Sequence, residues 1–123
     1  MSGHRALTDN YLADTTVEDP GTGNTIYIAR NPAIVELDHS AGGTGTRTLA
    51  APQASGIIVT LTMKSDGGGT LTVTATNHTV AGADSLLFED AGDTIMLVSV
   101  PSGTSGDFVW RMVEGTSGGV ASS

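Results

Sequence analysis

The chain contains no cysteine. That excludes a disulfide framework, a thiolate zinc site and a cysteine nucleophile. Aromatic residues make up only 4%, so there is little material for stacking platforms. Cations are equally scarce. Five Lys+Arg stand against 13 Asp+Glu, for a formal charge of −8. Nucleic acid and anionic membrane surfaces both need clustered cations, so neither is expected as a partner. No apolar run approaches the ~18 residues of a membrane helix. The first residues, Met1 to Asp9, carry no apolar stretch of the kind a signal peptide needs. No segment shows a 3.6-residue apolar period, which argues against amphipathic helices.

What remains is Thr, Ser and Gly with short apolar runs, within the 123 residues of one ordinary domain. Residues 1–24 have no period and end in the breaker cluster Pro20-Gly21-Thr22-Gly23-Asn24. They read as an N-terminal arm whose apolar groups are Leu7, Tyr11, Leu12 and Val17. From Thr25 the period becomes two, the mark of half-buried strands. Strands are expected over 25–29, 33–38, 46–50, 57–64, 70–76, 85–89, 94–100 and 108–114. Turn residues separate them, and Asp66-Gly67-Gly68-Gly69 reads as a hairpin connection. Residues 116–123 read as a flexible Gly/Ser tail. The expected fold is therefore all-β: a jelly-roll-like barrel or sandwich of about eight short strands, spanning 25–115.

Two strands break simple alternation. Ile95, Met96, Leu97, Val98 and Val100 put apolar groups on both faces, as do Phe108, Val109, Trp110, Met112 and Val113. A strand apolar on both sides must cover its second face with its own arm or with another subunit. Met96, Val98, Val109 and Val113 are the candidate subunit interface, with Arg111 as a partner for a neighbour's carboxylate.

Chemistry is thin by comparison. His4, His39 and His78 are scattered, short of the converging ligands zinc requires. Glu89, Asp90 and Asp93 surround a turn without the spacing of a calcium loop, and read as side chains bonding their own backbone. Gly42-Gly43-Thr44-Gly45 lacks the lysine and helix of a phosphate loop. No Ser occupies a nucleophile elbow. Asn77-His78-Thr79 matches a glycosylation sequon but reads as incidental without a secretory leader. Neither catalysis nor a cofactor is expected. Trp110 and Tyr27 are the only serious sugar-stacking candidates, and Trp110 lies in the densest apolar strand, where core or interface burial is the better expectation.

One longer pattern ties these elements together. Thr48-Leu49-Ala50-Ala51-Pro52 precedes the alternating strand Ile57 to Met63. Gly67-Gly68-Gly69 and Thr70 to Thr76 follow, then the loop Asn77 to Gly82, Ala91-Gly92-Asp93-Thr94-Ile95, and Gly106-Asp107-Phe108-Val109-Trp110. This stretch resembles a recurrent β-domain of tailed-phage virion proteins, and with an arm before it looks most like a capsid decoration (cement) protein. It departs from that pattern before the tryptophan, where Asp107, Phe108 and Val109 replace a residue pair. The resemblance implies a homotrimer on the outer capsid surface, bound to the major capsid protein and stabilising the shell. Leu7, Tyr11, Leu12 and Val17 would then be capsid or arm contacts. The alternative is a head or tail fibre or receptor-binding module that recognises carbohydrate.

Overall fold

The computed structural model describes residues 15–113 and 121–122. They form two five-stranded sheets packed as a sandwich, with no helix among the described residues. In chain order the strands are β1 (Thr16–Val17), β2 (Asn24–Ile26), β3 (Ala33–His39), β4 (Thr44–Leu49) and β5 (Ile58–Asp66). They continue with β6 (Thr70–Ala75), β7 (Ser85–Phe88), β8 (Thr94–Pro101), β9 (Phe108–Met112) and β10 (Ala121–Ser122). One sheet has the order β1-β3-β5-β8-β9 and the other β10-β7-β6-β4-β2. All eight strands expected from the period-two pattern are present. The two additions, β1 and β10, are each a two-residue edge pairing in stretches read as arm and tail.

From β1 to β6 the chain changes sheet at every connection. Two crossings return it to the same sheet heading the same way. The β1–β3, β3–β5, β2–β4 and β4–β6 pairs are therefore parallel. The remaining four described pairs are antiparallel. This is a mixed sandwich, whereas a jelly roll is wound from antiparallel strands. The expected Gly67–Gly69 hairpin is likewise corrected. β5 and β6 lie in different sheets, and the glycines form an arch between them.

Close stacking explains the glycines in that arch. It lies against the β3–β4 arch, and a Cβ on Gly69 would collide with the Gly43 carbonyl. One on Gly67 would collide with the Ser40 carbonyl. Gly69 also has φ +78, a conformation L side chains rarely adopt. Gly supplies positive φ, but nothing in that property says which sheet the next strand joins.

Alternation sorts the side chains. Val35, Leu37, Leu49, Val59, Leu61, Met63, Leu71, Val73, Leu86, Phe88, Ile95, Leu97 and Trp110 are buried between the sheets. Val17 packs against the same core from β1, so the innermost of the proposed arm contacts is engaged with its own domain. Leu7, Tyr11 and Leu12 lie outside the described residues.

The segment between β1 and β2 also fastens the two sheets together. Arg47 alternates with Gly45 and Leu49 on the inward face of β4 and is buried. Its guanidinium forks onto Asp19, with Nε to Oδ1 at 2.6 Å and Nη2 to Oδ2 at 2.9 Å. Its other donations go to Thr22 Oγ1 and to the carbonyls of Thr46 and Asp38. Asp19 Oδ2 accepts the Asp38 backbone N–H from the opposite sheet. One carboxylate thus joins β4 of one sheet to β3 of the other.

Candidate functional site

The first sheet presents an apolar outer face. On β8, Ile95, Leu97 and Ser99 point into the core, which leaves Met96, Val98 and Val100 half-buried on the outside. On β9, Trp110 points inward opposite Ser99, so Val109 and Arg111 lie on the outer face. Cross-strand register places Arg111 opposite Val98 and Val109 opposite Val100. The face continues onto β5, where Ile58 lies opposite Val98 and Thr60 opposite Met96. It reaches β3 through Ile34, which pairs with Thr60. Ile34 and Ile58, both 39% exposed, are diagonal neighbours on this face. Their exposure matters because isolated exposed hydrophobics are ordinary, whereas a contiguous apolar sheet face marks an interaction surface.

The candidate interface residues fall together as far as strand geometry can bring them. Met96, Val98, Val109 and Arg111 share the outer face. Val113 follows β9, half-buried, and its amide donates to the Met96 carbonyl at 2.9 Å. Arg111 has a contact within its own chain: Nη1 donates to the Asn77 carbonyl. The Met112 amide donates to the His78 carbonyl at 2.8 Å. The segment after β6 therefore runs along β9 and covers its edge.

The opposite end of this face is acidic. Glu36 and Asp38 on β3 and Lys64 on β5 line an open cavity of about 700 Å³ beside Arg47. Asp38 accepts from Ser65 Oγ at 2.6 Å and from the Ser40 amide at 2.9 Å. Those bonds, Ser65 first, hold its carboxyl well below the usual carboxylate range. Burial alone would raise Asp19. The Arg47 hydrogen bond and the amides of Asp38 and Gly21 outweigh it, and its carboxyl is held below the ordinary value.

The remaining candidates have structural partners. His39 is buried with Nε2 3.1 Å from the Gly43 carbonyl. His78 is buried with Nε2 3.1 Å from the Ser85 carbonyl. Burial lowers the His78 pKa, against the smaller raising effects of Ser85 and Asp84. Asp93 Oδ2 accepts the amides of Glu89 and Asp90, so this carboxylate caps its own turn. No three His, Asp or Glu converge on a metal position among the described residues. Trp110 is wholly buried, and its Nε1 donates to the Ala50 carbonyl at 2.8 Å. It is a core residue and offers no sugar platform, whereas Tyr27 is 72% exposed. His4 lies outside the described residues.

No protein-family model and no curated protein matches the chain.

Sequence reasoning missed two features. The Asp19–Arg47 fork joins a stretch read as arm to a Thr-rich strand. Its one signal was Arg47 at an inward-facing position, which demands a buried counter-charge. The other is a cleft where the connections after β4, β6 and β8 meet. Its residues are far apart in sequence, and no local pattern unites them.

Proposed function

We propose that the chain is a structural subunit of a tailed-phage virion: a capsid decoration protein that trimerises on the outer capsid surface and reinforces the shell. The outward apolar face of β3, β5, β8 and β9 carries this reading. It supplies what a subunit contact needs, with Met96 and Val98 on β8 and Arg111 and Val113 along the edge strand β9, while Val109, only 6% exposed, backs this face from within its own chain. At ~25 cal/mol per Å² of apolar surface removed from water, a few hundred Å² per subunit contributes several kcal/mol before ordering costs. Attachment through three copies multiplies weak individual contacts by effective concentration. The major capsid protein is the partner, met through arm residues that include Leu7, Tyr11 and Leu12. The role requires no catalysis and no cofactor.

The resemblance of 33–115 to virion β-domains adds to this reading. Its Thr-Leu segment ends β4, its alternating strand is β5, its Gly stretch is the β5–β6 arch, and its tryptophan fills the core. The test is the mass of the particle in solution, by light scattering, together with co-sedimentation with capsids. A trimer that co-sediments supports the proposal. A monomer that remains in the supernatant overturns it. Deleting residues 1–14 should abolish capsid binding while the sandwich still folds.

A further inference from the structure

The second sheet turns a different surface outward. On β4, Gly45, Arg47 and Leu49 are buried, which leaves Thr44, Thr46 and Thr48 exposed. On β6, Leu71, Val73 and Ala75 are buried, which leaves Thr70, Thr72 and Thr74 outside. The two strands are parallel and in register, so Thr44 lies beside Thr70, Thr46 beside Thr72 and Thr48 beside Thr74. The last of these rows continues to Thr25 on β2 and Ser85 on β7. It places hydroxyl side chains on all four strands. The middle row continues to Leu87. None of these outward positions carries a charge.

Strand propensity does not account for this uniformity. A half-exposed strand favours β-branched or aromatic residues, not one residue type at every outward position of two paired strands. The outward positions of the first sheet are mixed, with Ile34, Glu36 and Asp38 on β3 and Thr62 and Lys64 on β5. There, Thr62 Oγ1 lies 2.8 Å from Thr94 Oγ1, so those two hydroxyls satisfy each other. Among the described residues, the six threonine hydroxyls of β4 and β6 make no hydrogen bond within the chain. Each threonine is stiff at χ1 and presents a methyl and a hydroxyl together. The face is therefore a lattice of unspent hydroxyls and methyls on hydrogen-bonded strands.

The lattice has two repeats. Neighbouring strands lie about 4.8 Å apart, and alternate residues along one strand roughly 6.6 Å apart. Both lie close to the oxygen repeats on a prism face of ice. From this match we infer that the outer face of the second sheet is an ice-binding surface. Each hydroxyl both donates and accepts, as a lattice water does. The methyls between them fix the spacing of the first water layer without competing for its hydrogen bonds. A charged side chain would order that layer around itself, and the outward positions hold none. The inference does not rest on the virion reading. The surface belongs to a single chain and lies on the sheet opposite the proposed subunit contact.

The test is slow growth of a single ice crystal in a solution of the full chain. Crystal shape and the share of chain taken into the ice are the readouts, with serum albumin as the non-binding comparison. The crystal should grow faceted, and the chain should enter the ice several-fold more than albumin does. Thr46→Lys and Thr72→Lys each set a charge in the middle row. Both should abolish the faceting and reduce uptake to the albumin level. Glu36→Lys changes the charge twice as much on the opposite sheet and should leave both readouts unaltered. A cooperative urea transition in Trp110 fluorescence shows that each variant is folded. Rounded crystals that exclude the parent chain would overturn the inference, as would uptake that both lysine variants of the threonine face retain. So would a particle whose mass in light scattering falls with Thr46→Lys, because the face would then be covered by a second copy.

Discussion

Removing the Asp19 carboxylate leaves the Arg47 guanidinium stranded. The two side chains are only 9% and 2% exposed, so water cannot easily replace the lost partner. Breaking a buried ion pair by removing one member costs about 3–5 kcal/mol. The Asp38 and Gly21 amides also lose their acceptor, each a hydrogen bond of ~0.5–1.5 kcal/mol net. These costs overlap, so Asp19→Ala is expected to lose about 3–5 kcal/mol in total. That is a large fraction of the ~5–15 kcal/mol that holds a domain together. The double variant Asp19→Ala/Arg47→Met removes the stranded charge and should recover much of the loss. Urea unfolding followed by fluorescence of the buried Trp110 measures all three proteins. Acid gives a second arm. Asp19 has its folded pKa below the ordinary 3.8, so its contribution is complete above that value and lost as pH falls through the folded pKa. The gap between parent and Asp19→Ala should therefore narrow below about pH 4. Two results would refute the reasoning: Asp19→Ala within about 0.5 kcal/mol of the parent, or a double variant no more stable than the single one.

Three other outcomes are expected. If the chain trimerises as proposed, Val98→Asp should reduce it to a folded monomer, as light scattering and Trp110 fluorescence would show, and any loss in urea midpoint should be no more than the lost association accounts for; a trimer that persists would place the contact elsewhere. Burial lowers the folded pKa of His78 below the unfolded 6.5, so stability should be constant above that pH and decline as pH falls beneath it. Urea midpoints at pH 7.5 and 5.5 measure this decline, which should shrink in His78→Gln. Gly43 and Gly69 separate conformation from space, because both have positive φ but only Gly69 lacks room for a Cβ. Gly43→Ala should cost about 1–2 kcal/mol and Gly69→Ala about 1–3 kcal/mol more; equal losses would mean the arches do not stack as described.

The strands were legible because each carries its own alternation. Val35 and Leu37 against Glu36 and Asp38, or Leu61 and Met63 against Thr62 and Lys64, declare a buried and an exposed face without reference to any other strand. The double-sided β8 was legible in the same way, with Ile95 and Leu97 inward and Met96 and Val98 outward. Pairing was not legible. Nothing in Gly67-Gly68-Gly69 distinguishes a hairpin from an arch, since the difference lies in which backbone the turn packs against. That backbone is Ser40 to Gly43, at the far end of another strand. Asp19 and Arg47 failed to announce each other for the same reason. The cleft was still less accessible, because it takes one connection from each of three strand ends.

The sheet-alternating path has a consequence for how the chain assembles. Among β1 to β6, every pairing joins strands two apart in sequence, with a crossing in between. No local hairpin forms in that half. The hairpin pairings are β6–β7 and β8–β9, where sequence neighbours meet within one sheet. Ribosomes deliver the wound half first, but its strands must pay the entropy of a long closure before pairing rewards them. The late-synthesised half is therefore the natural nucleus, onto which β5, β3 and finally β1 are laid in turn. Substitutions in β8 and β9 should slow folding, whereas those around β1 and Asp19 should mainly speed unfolding.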